Sequence, residues 1–153
     1  MARLKQTYPE DGFFGIGIVN AKDPQNVGTL WRSAYILGAS FIFTVGNKSK
    51  KQTTDVVNAW QKIPQFHYAN VDDLIRHLPY DTCLVGVELE DSAVDIQCFQ
   101  HPHRCVYLLG NEQAGLTAEV ISKCHRLVKL PGDYSLNVSV AGSIVLYDRI
   151  SKK

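Results

Sequence analysis

No apolar run in this chain is long enough to cross a membrane. The first ten residues, Met1 to Glu10, are polar and lack the apolar core of a secretion signal, so none is expected. The four cysteines, Cys83, Cys98, Cys105 and Cys124, show no CxxC spacing, which argues against a disulfide framework and against a cysteine metal cluster. Cys83 and Cys105 sit inside apolar runs, where a thiol packs as a small hydrophobe. The net charge is only +1, so the chain is no strongly basic nucleic-acid wrapper, although a local basic patch remains compatible with it. Low-complexity segments, linkers and internal repeats are also missing. These absences leave a reducing, cytoplasmic home and one domain over residues 1–153, long enough to bury a full core.

What is there alternates. Phe14 to Val19, Phe41 to Val45, Gln65 to Tyr68, Thr82 to Val87, Cys105 to Leu109 and Leu127 to Leu130 read as strands. Between them lie helical stretches: Asn26 to Leu37, stopped by Gly38; Asp55 to Lys62; Val71 to Leu78; and a segment from Thr117 to Lys123. A last helix runs from about Asn137 to Ile150, apolar at Val140, Ile144, Leu146 and Tyr147. Asp23 or Asn26 is placed to cap the first helix. Strand and helix in alternation give an α/β fold, with a mostly parallel six-stranded sheet and helices on both faces. Ser92 to Pro102 is ambiguous and has room for a turn or short helix.

Some local patterns invite chemistry that the rest of the chain does not support. Gly15-Ile16-Gly17 imitates part of a dinucleotide fingerprint. The third glycine is missing and the pair lies within a strand, so it reads as a strand needing close backbone approach, and a nucleotide-dependent oxidoreductase is remote. His101 and His103 have no third ligand at a sensible spacing, so no metal is expected and both read as surface loop residues.

The stretch from Arg104 to Tyr147 carries the strongest signal. A buried strand breaks at once into Gly110-Asn111-Glu112-Gln113-Ala114-Gly115-Leu116. A second strand stops at Leu130-Pro131-Gly132 and is followed by Ser135-Leu136-Asn137-Val138-Ser139-Val140-Ala141. Two strand ends thus deliver backbone amides and short polar side chains, which suits a small polar ligand at the carboxyl ends of parallel strands. Taken with Asn26-x-Gly28-x-x-x-Arg32, these three motifs in this order resemble those of the SpoU (TrmH-like) family of RNA methyltransferases in the SPOUT superfamily. The resemblance covers Gly15 to Tyr147. Gly132 stands where that family often has Met, and Ala141-Gly142-Ser143 varies its small-residue run.

The resemblance implies a C-terminal trefoil knot, S-adenosylmethionine as cofactor, a homodimer, and methyl transfer to a ribose 2′-hydroxyl of tRNA or rRNA. It implies catalytic roles for Arg32, Asn26, Glu112 and Asn137. The cofactor would be held by Val87, Gly110, Leu130, Ser135, Leu136 and Ser139. Arg32, Lys50 and Lys51 would meet RNA. In the family the arginine is described as activating the hydroxyl, yet a guanidinium has five donors and no acceptor. Two readings stay open: Arg32 binds the target phosphate and stabilises developing charge while a phosphate oxygen or water takes the proton, or a special environment strips its own proton. Asn26 and Glu112 are expected to orient Arg32. A non-catalytic RNA-binding protein of the same fold is the alternative function.

Overall fold

A computed structural model describes residues 12–47 and 59–152. Seven strands form one sheet in the order β3-β2-β1-β6-β4-β7-β5, and every neighbouring pair is parallel. The strands are β1 (Phe13–Val19), β2 (Phe41–Val45), β3 (Gln65–Tyr68), β4 (Cys83–Val87), β5 (Val94–Asp95), β6 (Arg104–Leu109) and β7 (Arg126–Lys129). The seventh strand corrects the expected six. It is β5, two residues that pair with Val128 and Lys129 at the sheet edge, followed by a single 3₁₀ turn at Ile96–Cys98. A two-residue strand has no room to show an alternating pattern, which is why Ser92 to Pro102 reads ambiguously.

The helices are α1 (Pro24–Ile36), α2 (Ala59–Lys62), α3 (Val71–Arg76), α4 (Ala118–Lys123) and α5 (Val138–Ser151). They cover both faces. Val27, Leu30 and Trp31 of α1 meet Val145 and Leu146 of α5 over one face. Val71 and Leu74 of α3 lie over the other, beside Leu84, Val106 and Leu108, with Val120 and Ile121 of α4 against them. Buried on both sides, β6 reads as a continuous apolar run.

The glycines of β1 serve ring packing. A side chain on Gly15 would lie 2.5 Å from the Phe41 ring, and one on Gly17 would lie 2.4 Å from the Phe43 ring. The expectation of close approach holds, and the approaching group is aromatic. In α5 the buried side is the small one, Val138, Ser139, Ala141 and Gly142, followed by Val145 and Leu146. Of the apolar positions noted in the sequence, Leu146 is buried, whereas Val140, Ile144 and Tyr147 face outward. The reason is distance: a Cβ at Gly142 would sit 2.5 Å from Leu30 Cδ1, so only a glycine lets α5 lie this close to α1.

His101 is also not a surface residue. Its side chain is 5% exposed, with Nδ1 2.6 Å from the Tyr107 hydroxyl and Nε2 2.6 Å from Asp148 Oδ2. Lys152 reaches the same carboxylate oxygen at 2.8 Å, and Arg149 reaches the Tyr107 hydroxyl at 3.2 Å. The cluster fastens the end of α5 to the start of β6, away from the loops described next.

Candidate active site

The carboxyl ends of β4, β6 and β7 and the start of α5 enclose a cavity of about 330 Å³. Each wall follows from its local chain. At the end of β6, Gly110 packs so tightly that a Cβ there would lie 2.1 Å from the Gly115 carbonyl carbon and 2.4 Å from Leu116 N. Asn111 shapes the turn between them: its Oδ1 accepts from Gln113 N at 2.9 Å and Ala114 N at 2.8 Å, while its carbonyl accepts from Gly115 N at 3.1 Å. This is a side-chain-mimicked turn that leaves Glu112 at its tip and outside any helix.

Glu88, the first residue past β4, ties two loops together. Its Oε2 accepts from Leu116 N at 2.7 Å and its Oε1 from Leu89 N at 3.1 Å. The carboxylate occupies the space beside Gly115, whose φ is +62° and whose Cβ would lie 2.6 Å from Oε2. Among the described residues, the cavity lining holds two carboxylates, Glu88 and Glu112, and no Lys, Arg or His.

The third wall is the loop after β7 and the start of α5. Asn137 caps α5: its Oδ1 accepts from Ser139 N at 3.0 Å and Val140 N at 3.3 Å. With the oxygen so engaged, Nδ2 points away from the helix and donates to Asn26 Oδ1 at 2.9 Å. Asn26 in turn donates from Nδ2 to Glu112 Oε1 at 2.8 Å. A carboxylate accepts and does not donate, so every amide orientation in the chain Glu112–Asn26–Asn137–Ser139 is determined. Asn26 is free for this task because Asp23 caps α1, accepting from Gln25 N at 2.9 Å.

The six residues expected to hold a cofactor do not all share one position. Val87, Gly110, Leu130, Ser135 and Leu136 line the cavity, as do Glu112 and Asn137 of the expected catalytic set. Ser139 does not; it is buried behind the cap, and its hydroxyl donates to Asn137 Oδ1 at 2.6 Å. Asn26 stands just behind the lining. Arg32 lies six residues further along α1, about 9 Å by helical rise. It is exposed and has no polar partner among the described residues. The expected pairing of Glu112 with Arg32 is therefore replaced by Glu112 with Asn26. Lys50 and Lys51 lie outside the described residues.

Sequence reasoning gave no role to Glu88, Leu89 or Tyr134, all of which line the cavity. The position of Glu88 one residue past a buried strand was the available signal. A further link went unread: Ser143 Oγ of α5 lies 2.7 Å from the Ser139 carbonyl and 2.9 Å from Ser33 Oγ of α1, next to Arg32.

Comparison with known proteins finds relatives over most of the chain. A Staphylococcus aureus (strain COL) protein named for the TrmH family of tRNA/rRNA methyltransferases is 26% identical over 158 aligned positions, which cover 98% of this chain and 64% of that protein. The tRNA (guanosine(18)-2′-O)-methyltransferase of Escherichia coli (strain K12) is 26% identical over 133 positions, covering 82% of this chain and 57% of that enzyme. An AdoMet-bound rRNA methyltransferase from Sinorhizobium meliloti superposes with a TM-score of 0.81 at 27% identity, over 95% of this chain and 59% of that one. The chain thus spans less than two thirds of the length of each. Residues 14–147, running from β1 through all three loops into α5, match the sequence model of the SpoU rRNA Methylase family, and the chain belongs to that family.

Proposed function

We propose that this protein is an S-adenosylmethionine-dependent RNA methyltransferase that modifies a ribose 2′-hydroxyl of tRNA or rRNA. The observation that carries the reading is the Glu112–Asn26–Asn137 chain, which draws the three motif loops around one cavity. The lining suits this donor. Two carboxylates with no cation repel phosphate-bearing nucleotides and favour a ligand of net positive charge. S-adenosylmethionine is such a ligand, and its sulfonium supplies the methyl group when bound. Backbone groups at Val87, Gly110, Leu130 and Leu136 would hold it, with Ser135 at the rim. Because Gly110, Gly115 and Leu116 are in mutual contact, these backbone donors and acceptors are fixed before any ligand arrives, which lowers the ordering cost of binding.

Arg32 meets the RNA. Its guanidinium binds the target phosphate and stabilises negative charge that develops on the ribose oxygen, and a phosphate oxygen or water takes the proton. Asn26, Glu112 and Asn137 act through position: they hold the start of α1 against the β6 loop and so aim Arg32. Lys50 and Lys51 are proposed as further phosphate contacts. The loop Leu130–Val138 and the loop Gly110–Gly115 share one cavity, and the knotted threading between them is proposed on the family resemblance.

The unit is proposed to be a homodimer. Val140, Ile144 and Tyr147 of α5 and Tyr35 and Ile36 of α1 leave apolar surface in water on two helices that pack on each other, beside Arg32. A second copy covering these residues would bring two sites together. No helix among the described residues is long and apolar enough to cross a membrane.

Titration calorimetry with S-adenosylmethionine tests the cofactor reading directly. The expected result is saturable binding that Glu112→Gln weakens. An absence of heat across millimolar ligand would leave the non-catalytic RNA-binding reading in its place.

A further inference from the structure

Three large apolar side chains stand in water around the mouth of the cavity. Leu89 is 40% exposed, Leu136 45% and Tyr134 88%. Tyr134 is the extreme case. Its ring has no hydrogen-bond, aromatic or cation partner among the described residues. The loop that carries it is short and anchored at both ends. Gly132, with φ of +117°, turns the chain after β7, and Asn137 is held as the cap of α5 five residues later. The ring is therefore displayed by a fixed loop at the rim of a cavity. Tyr134 lines the cavity mouth, and at 88% exposed it offers nearly its whole ring to whatever enters there.

We propose that Tyr134 stacks on the base of the nucleotide being methylated. This rests on the RNA-methyltransferase reading and names how that same site takes its substrate. A ribose 2′-oxygen reaches a donor recessed in a cavity most readily from a single-stranded loop, where the nucleotide turns outward and its base leaves the stack. An unstacked base then needs a flat apolar surface, and an aromatic ring supplies one to any base, since every base has a π-face. The cavity itself, with two carboxylates and no cation, gives phosphates nothing to hold. Backbone contact is left to Arg32 and base contact to the rim, where Leu89 and Leu136 flank the ring.

The test measures methyl transfer from radiolabelled S-adenosylmethionine to unfractionated tRNA and rRNA from cells lacking this protein. Wild type is compared with Tyr134→Ala, Tyr134→Phe and Tyr134→Trp. Tyr134→Ala raises the half-saturating RNA concentration about tenfold, in the range expected for loss of one base–ring stack. Tyr134→Phe and Tyr134→Trp stay near wild type, because the ring and not the hydroxyl is used. Cofactor affinity by calorimetry stays within about twofold in all three variants, and sedimentation shows the same oligomer. An unchanged RNA dependence in Tyr134→Ala overturns the proposal. So does a loss of cofactor affinity, which would assign the ring to the cofactor, or a change of oligomer, which would assign it to a subunit contact. If wild type itself methylates neither RNA pool, the methyltransferase reading falls first and this proposal with it.

Discussion

Asn137 donates from Nδ2 to Asn26 Oδ1 at 2.9 Å, joining the starts of two helices that are 111 residues apart in sequence. The same side chain caps α5 through its other amide atom. Cap and link can be separated chemically. Asn137→Asp keeps an oxygen for Ser139 N and Val140 N but replaces the donor with an acceptor facing Asn26. Its melting temperature is expected to stay near wild type, because Asp caps about as well as Asn, whereas Asn137→Ala loses roughly 1 kcal/mol. Turnover falls at least tenfold in both. Thermal denaturation beside a methyl-transfer assay reads the two effects apart; full activity in Asn137→Asp would show that the link to Asn26 has no catalytic consequence.

Glycines at two places are predicted to fail differently. Gly110→Ala forces a Cβ against the backbone of Gly115 and Leu116, so the β6 loop has to shift, and cofactor affinity is expected to fall at least tenfold. Gly142→Ala instead meets Leu30 Cδ1 at 2.5 Å, a side-chain end held in a fully buried position. Overpacking costs roughly 1–3 kcal/mol and the gain in helix propensity returns roughly 1, so a net loss of about 1 kcal/mol is expected. Urea unfolding and calorimetry on the two variants should show binding lost in the first and stability in the second.

The buried imidazole of His101 makes stability depend on pH. Burial holds its pKa below the ordinary value of 6.5, against the raising influence of Asp148, while Arg149 and Lys152 lower it further. The folded chain therefore binds this proton less readily than the unfolded chain. Its contribution is present above pH 6.5 and is lost as pH falls through that value toward the lowered one. Urea midpoints are expected to drop between pH 7.5 and 5.5, and the drop to shrink in His101→Gln. A midpoint that rises on acidification would contradict a neutral buried imidazole.

Thiol reactivity follows burial in the same way. Desolvation pushes Cys105 and Cys124 up to about 11, and it also raises Cys83. Cys98 is exposed. Iodoacetamide at pH 8 should therefore alkylate Cys98 first, with Cys105 unmodified until the chain unfolds. Peptide mass mapping over time gives the order, and early labelling of Cys105 would contradict its burial under α5.

Much of this was legible in the chain because long apolar runs bounded by glycine and proline have few other uses. The strand from Cys105 to Leu109 and its break at Gly110 could be read directly, as could the helix from Val71 and the cap at Thr117. What escaped depends on partners distant in sequence. Either Asp23 or Asn26 suited the cap of α1, and only the fold shows Asp23 taking it and releasing Asn26. Glu112 was expected beside Arg32, because a carboxylate and a guanidinium are natural partners, but the loop geometry presents it to an amide. In α5 the apolar positions Val140, Ile144, Leu146 and Tyr147 did not show which side is buried, because the residues that pack closest, Ser139, Ala141 and Gly142, are small. His101 looked like a loop residue because nothing nearby in sequence announces Tyr107 or Asp148. The site residues themselves were carried by motif resemblance; periodicity alone would have offered only a polar pocket at strand ends.

The account depends on Arg32 standing at the meeting point of a donor in the cavity and a ribose oxygen from RNA. The most direct measurement transfers labelled methyl from S-adenosylmethionine to tRNA and rRNA from cells lacking the protein, then digests the product in alkali, which cannot cleave beside a 2′-O-methylated ribose. The account predicts label in alkali-resistant dinucleotides with wild type, and label lost by a factor of about 10³ or more in Arg32→Ala, with cofactor binding retained. Label released on single nucleotides, or near-normal transfer by Arg32→Ala, would contradict it.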